Sequence, residues 1–82
     1  MPFEIQIATP ERMVVDRSAD YAEIPGKDGY LGILPDHAAL LSELGSGDLT
    51  ITSGGQSEKF KIAGGYVEVR DNHVRVLADS VE

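Results

Sequence analysis

The sequence predicts an all-β fold, an antiparallel sandwich or barrel. Three observations carry that prediction. Apolar and polar residues alternate in short runs, the period-two pattern of half-buried strands. Turn-forming residues interrupt the chain about every eight to ten residues, which leaves roughly seven to ten short strands. The one stretch of helical composition, Asp36-His37-Ala38-Ala39-Leu40-Leu41, is too short to stand as a helix and is expected to form a single turn or a 3₁₀ corner.

In order along the chain, Phe3, Ile5 and Ile7 alternate with Glu4 and Gln6 and read as a strand. Thr9 to Arg12 reads as a turn, Met13 to Val15 as a short β-rich run, and Asp16 to Asp20 as a polar turn or sheet edge. Tyr21 to Ile24 alternates again and stops at Pro25-Gly26. Lys27-Asp28-Gly29 is a tight turn, with Gly29 suited to positive φ, and Tyr30 to Leu34 is the next strand. Pro35 removes a backbone donor and restricts Leu34. Gly45-Ser46-Gly47 interrupts the chain, and Leu49 to Thr52 resumes it as a strand. Gly54-Gly55 reads as a two-residue hairpin loop, after which Phe60 and Ile62 share one face and Lys59 and Lys61 the other. Gly64-Gly65 marks a bulge or corner. Tyr66 to Arg70 is a strand, Asp71-Asn72 turns, and Val74 to Leu77 ends the series.

Residues 1–82 are read as one domain. A chain of this size buries only about 60–65% of its unfolded surface, so its stability margin is thin. There is no Cys, so neither disulfides nor thiolate metal ligands support it, and the core is aliphatic. The net charge is −7, from 14 acidic and 7 basic residues dispersed along the chain. That balance repels phosphate backbones and argues against nucleic acid as a partner. No apolar run is long enough for a membrane span, which argues against direct insertion. Met1-Pro2-Phe3-Glu4 has no basic region or apolar block, so no signal or transit peptide is expected and a bacterial cytoplasm is the simplest compartment.

Catalytic patterns fail one by one. His37 and His73 are the only histidines and lack the companions of a metal site. No Gly-x-Ser-x-Gly elbow occurs, and Gly45-Ser46-Gly47 reads as a flexible turn. Glu68 and Asp79 serve as acid and base only if the fold puts them in one cleft. Gly26-Lys27-Asp28-Gly29 matches a bare GxxG loop but lacks flanking helices, and no phosphate-loop Gly-Lys-Ser/Thr follows. The residues therefore point to a binding or structural module without catalytic, cofactor or metal residues. A free-standing sandwich that binds a small ligand or carbohydrate is the alternative, although no Trp and only three Tyr and two Phe supply a stacking platform.

Gly29-Tyr30-Leu31-Gly32-Ile33-Leu34-Pro35-Asp36-His37-Ala38-Ala39-Leu40-Leu41 resembles the G-x-L-G-I-x-P-x-H-x-x-L-L signature of the epsilon subunit of F-type proton-translocating ATP synthase. Ala63 to Val69 and Val74 to Asp79 match in the same order, and Phe3 to Val15 also fits, so the resemblance spans essentially the whole chain. It implies a β-sandwich of two packed five-stranded sheets. It further implies a non-catalytic central-stalk subunit, bound to the gamma subunit and resting on the polar loops of the c-ring, that couples ring rotation to ATP synthesis. The setting would be the cytoplasmic face of a bacterial inner membrane, or a plastid thylakoid. Tyr30, Leu31 and His37 fall where the family touches the ring, and Ala38, Ala39, Leu40 and Leu41 near the gamma contact. Tyr30 departs from the acidic or polar residue of some relatives, and an aromatic there anchors a contact through its ring and hydroxyl. Family members usually continue into a C-terminal pair of inhibitory helices. With Glu82 as the last residue, inhibition by such helices is expected to be absent.

Overall fold

The alternating runs become eight strands. A computed structural model, which describes residues 2–82, places them as β1 (Phe3–Ala8), β2 (Met13–Ala19), β3 (Tyr21–Gly26), β4 (Gly29–Ile33), β5 (Leu40–Glu43), β6 (Ser46–Ser53), β7 (Gln56–Arg70) and β8 (His73–Val81). The all-β expectation holds. The sheet count differs: in place of two separate five-stranded sheets, the hydrogen bonds form one mixed eight-stranded sheet. Its order is β2-β1-β8-β7-β6-β3-β4, with β5 paired to β7 beside that path. All pairs are antiparallel except β1 with β8, which run parallel.

The long strand β7 makes this single sheet sandwich-like. At about 3.3 Å per residue its 15 residues would reach about 50 Å if straight. The longest dimension of the molecule is 29 Å, so β7 has to bend. Its first half pairs with β6 from Gln56 to Ala63, and its second half pairs with β5 from Tyr66 to Val69. Between these halves stand Gly64 and Gly65, at φ 67° and 111°, a region that favours glycine. A Cβ on Gly65 would run into the Leu77 carbonyl oxygen and lie 2.9 Å from the Ala78 Cα. The corner expected at these glycines is therefore real, and it lies inside one strand. β8 follows the bend, pairing Gly65 with Ala78 and Ile62 with Val81. The shortest dimension of the molecule, 20 Å, suits two layers spaced about 10 Å apart.

Between the layers lies one aliphatic core. Phe3, Ile5 and Ile7 of β1, Ile24 of β3, Leu49 and Ile51 of β6, Val67 and Val69 of β7, and Val74 and Val76 of β8 are all buried. Among the described residues no polar or charged side chain is buried. An ion pair of 2.7 Å between Arg17 of β2 and Glu58 of β7 bridges the two layers at the open side of the sheet. Both side chains are substantially exposed, so it contributes at most about 1 kcal/mol.

The loops follow local chemistry. Gly54 and Gly55, at φ 59° and 80°, join β6 to β7 as the two-residue hairpin expected. Asp71 and Asn72, at φ 51° and 59°, do the same between β7 and β8. The Thr9 hydroxyl accepts from the Glu11 and Arg12 amides, each at 3.3 Å, which closes the β1–β2 turn. Asp16 to Ser18 belong to the edge strand β2, not to a turn. The helical turn expected over Asp36 to Leu41 does not form. Leu34 to His37 make a β-turn, with His37 N–H donating to the Leu34 carbonyl at 3.2 Å and Asp36 at φ 65°. Leu40 and Leu41 open strand β5, because pairing with β7 outweighs a weak local helix preference.

Gly65→Ala is expected to destabilise the domain by about 3 kcal/mol or more, since both backbone space and φ oppose a side chain. Gly54→Ala, where φ is positive but space is open, should cost only about 1 kcal/mol. Urea unfolding of the two variants beside the parent measures the difference.

Candidate interaction surface

The register of the strands determines what each outer face presents. On the layer built by β5, the second half of β7, β8, β1 and β2, residues that share a cross-strand row share a face. One row runs Glu43, Tyr66, Leu77, Ala8, Met13. Tyr66, Leu77 and Met13 are 53%, 51% and 51% exposed. Leu41 stands in the next row, opposite Glu68, and is 72% exposed. These four, with Ala8, make an apolar band across five adjacent strands.

Met13 owes its place to an irregularity. The β1–β2 register slips between Ile7 and Ala8, pairing Ile7 with Val15 but Ala8 with Met13. Val14 is therefore a surplus residue, and the bulge turns Met13 outward. Strict alternation from the buried Val15 would have put Met13 on the inner face.

Polar rows lie to one side of the Tyr66–Leu77 row. The first, in which Leu41 stands, carries Glu68, Arg75, Gln6 and Asp16, and the next Arg70, His73, Glu4 and Ser18. Ser18 donates to the Glu4 carboxylate at 2.8 Å. The opposite outer face differs in kind. There Glu23 and Thr50 stand opposite each other, Thr50 faces Lys59, Thr52 faces Ser57, and Asp48 faces Lys61. Only one of the two outer faces thus carries an apolar band. Exposed apolar groups that continue across several strands beside charged rows mark a candidate interaction surface.

The residues proposed from sequence fall at distinct places. Tyr30 lies on the polar face at the start of β4, 56% exposed. Its ring covers Gly47, where a Cβ would collide with its hydroxyl, and that hydroxyl accepts from the Asp48 N–H at 3.2 Å. Leu31, the next residue, points inward and packs on the core. His37 lies beyond the other end of β4, half-buried, with Nδ1 2.8 Å from the Ala38 carbonyl. Tyr30, Leu31 and His37 are therefore not brought into one patch. Of Ala38, Ala39, Leu40 and Leu41, the last reaches the apolar band, Leu40 packs against the core, and the two alanines are exposed in the connecting loop.

Residues weighed for chemistry do not converge either. Glu68 and Asp79 lie about 13 Å apart along the β7–β8 ladder, by the register and rise per residue. Among the described residues no group of three His, Asp or Glu side chains is arranged to hold a metal. Tyr66 is on one outer face and Tyr21 and Tyr30 on the other, which leaves no shared stacking platform. The sequence does not show the apolar band as a unit, and Tyr66 and Leu77, apolar at outward-facing strand positions, are its only local signal.

Replacing Tyr66 and Leu77 together by Ser should lower the thermal midpoint by no more than about 8 °C, because exposed positions change stability by about 0.5 kcal/mol or less each. A calorimetric loss of ten degrees or more would assign the band to folding instead.

Comparison with known proteins places this surface in context. The family model described as ATP synthase, Delta/Epsilon chain, beta-sandwich domain matches residues 2–82. The ATP synthase epsilon chain of Solibacter usitatus is 47% identical over 79 residues, covering 96% of this chain and 59% of the relative. That of a Roseiflexus species is 45% identical over 82 residues, covering 100% of this chain and 59% of the relative. The chain thus spans less than two thirds of the length of these relatives. Among solved structures, a chain of the Euglena gracilis mitochondrial ATP synthase superposes with a TM-score of 0.93 at 19% identity, over 99% of this chain and 52% of that one. A chain from the central stalk and c-ring of the Tetrahymena thermophila enzyme gives 0.82 at 22% identity, over 96% and 64%. At these identities the two likenesses concern the fold.

Proposed function

The chain belongs to the family of ATP synthase Delta/Epsilon chain β-sandwich domains, and on that premise we propose that it works as a non-catalytic part of the enzyme's central stalk. In this reading it docks on the gamma subunit, meets the polar loops of the c-ring, and couples ring rotation to ATP synthesis at the cytoplasmic face of a bacterial membrane. The observation that carries the reading is the asymmetry of the two outer faces: Leu41, Tyr66, Leu77, Ala8 and Met13 form a band on one, whereas the other is mostly polar, with Tyr21 and Tyr30 standing among threonines, lysines and acids.

A rotor part has to stay attached under load, and burial of a contiguous apolar band by a cognate surface supplies a tight, water-excluded contact. Tyr66 is the natural anchor, since aromatic residues at the centre of a patch carry a large share of binding energy. The charged rows beside the band then fix register, because a partner carrying like charges opposite Glu68 or Arg75 is disfavoured. Gamma therefore takes this face, and Leu41 is its contact within the Ala38 to Leu41 stretch.

The ring contact falls to one end of β4. Tyr30 and the exposed Lys27-Asp28 turn beside it present more surface than the half-buried His37, so Tyr30 carries this contact. Leu31 supports it from the inner side by packing on the core.

Pull-down or calorimetry with the cognate gamma subunit tests the docking face. Tyr66→Glu should weaken binding roughly 30-fold or more, about 2 kcal/mol, whereas Lys59→Glu on the other face should change it less than about threefold. Equal effects from both faces would defeat the assignment. Single cysteines at 30 and 37 address the ring: cross-links to c-ring loop cysteines should form from position 30 and not from position 37.

A further inference from the structure

The loop that leads into β5 is fastened to a distant turn by one pair of side chains. Asn72 Oδ1 accepts from the Asp36 N–H at 2.6 Å, and Asn72 Nδ2 donates to Asp36 Oδ1 at 2.9 Å. Both residues hold positive φ, 65° at Asp36 and 59° at Asn72, without being glycine. Asn and Asp tolerate this conformation better than other side-chain-bearing residues. The pairing admits one orientation of the amide, since a flipped amide would set its oxygen against a carboxylate and its NH₂ against an N–H. The Asn72 carbonyl also accepts from the Glu4 N–H at 2.9 Å, so the same turn holds the start of β1.

What this pair holds is the weakest element of the sheet. β5 has four residues and one partner strand, and residues 37–39 before it have no regular structure. Strand β5 nevertheless carries Leu41, the most exposed member of the apolar band. An isolated four-residue edge strand frays readily unless its ends are tied. Its far end is tied by the Lys27–Glu43 ion pair of 3.0 Å and by Lys27 N–H donating to the Glu43 carbonyl at 3.0 Å. Its near end has Asp36 and Asn72.

We propose that Asn72 is a positioning residue of the docking face: by its two bonds to Asp36 it latches the β4–β5 loop onto the β7–β8 turn and so keeps β5, with Leu41, in register. The functional half of this proposal rests on the reading of that face as the gamma contact; the latch itself does not.

The two halves are separated by measuring amide exchange and gamma binding on the same variants of the full chain. Asn72→Asp sets a carboxylate against the Asp36 carboxylate. It should speed exchange of the residue 36 amide and of the β5 amides roughly tenfold or more, while the central Val67 and Val76 amides stay as slow as in the parent. Gamma binding should weaken by about the same factor. Adding Asp36→Asn to Asn72→Asp exchanges the two groups and restores the parent net charge. That double variant should recover both exchange and binding to within about threefold, because each donor again meets an acceptor. Unchanged β5 exchange in Asn72→Asp, or no recovery in the double variant, overturns the latch. Loosening and recovery of β5 with constant gamma binding overturns the docking role of this face and leaves the latch standing.

Discussion

Everything in this molecule depends on one backbone contact: the approach of β7 to β8 at Gly65, so close that a Cβ would strike the Leu77 carbonyl. It lets a single strand serve two layers. Because β7 turns over at Gly64-Gly65, β6 and β5 can both pair with the same edge of it, one on each side of the bend. β8 turns with it, and the interior between the two arms is what Phe3, Ile24, Leu49 and Val76 fill. A small aliphatic core without disulfides has little stability in reserve, so a fault at this corner reaches the whole domain.

The same bend creates two outer faces and allows them to differ. Outward positions are free of core packing, so their chemistry answers to solvent and partners alone. One face uses that freedom for threonines and lysines, the other for Leu41, Tyr66, Leu77 and Met13. The bulge at Val14 shows how narrowly such a face is made. One surplus residue moves Met13 from an inward to an outward position while β1 keeps its own alternation intact. Function in this reading is a property of the register as much as of composition.

Much of this was legible in the sequence for physical reasons, and the remainder was hidden for equally physical ones. Alternation in Phe3-Glu4-Ile5-Gln6-Ile7 and the Gly54-Gly55 pair are local signals, and the structure follows them. Alternation also implies that Tyr30 and Leu31 face opposite ways, and in the structure Tyr30 is exposed while Leu31 packs on the core. Asp36 to Leu41 carries a helical signal, and its last two residues, Leu40 and Leu41, are lost to pairing with a strand some 25 residues later, which no local rule weighs. The bulge at Val14 and the Asp36–Asn72 pair are non-local facts of register; neither residue in the pair points to the other in sequence. Three separate blocks of resemblance point to the family, whereas the apolar band exists only across strands that are distant in sequence.

The parallel pairing of β1 with β8 has a consequence for how such a domain is made. The first strand of the sheet finds one of its two neighbours in the last, so Ile5 and Ile7 wait for Val74 and Val76 before their side of the core can close. A nascent chain emerging from the ribosome can form the β1–β2 hairpin early, but the other edge of β1 stays open until β8 is out. Closure of this side of the core thereby waits on β8, and until then the open edge of β1 is exposed to pairing with a neighbour of its own kind.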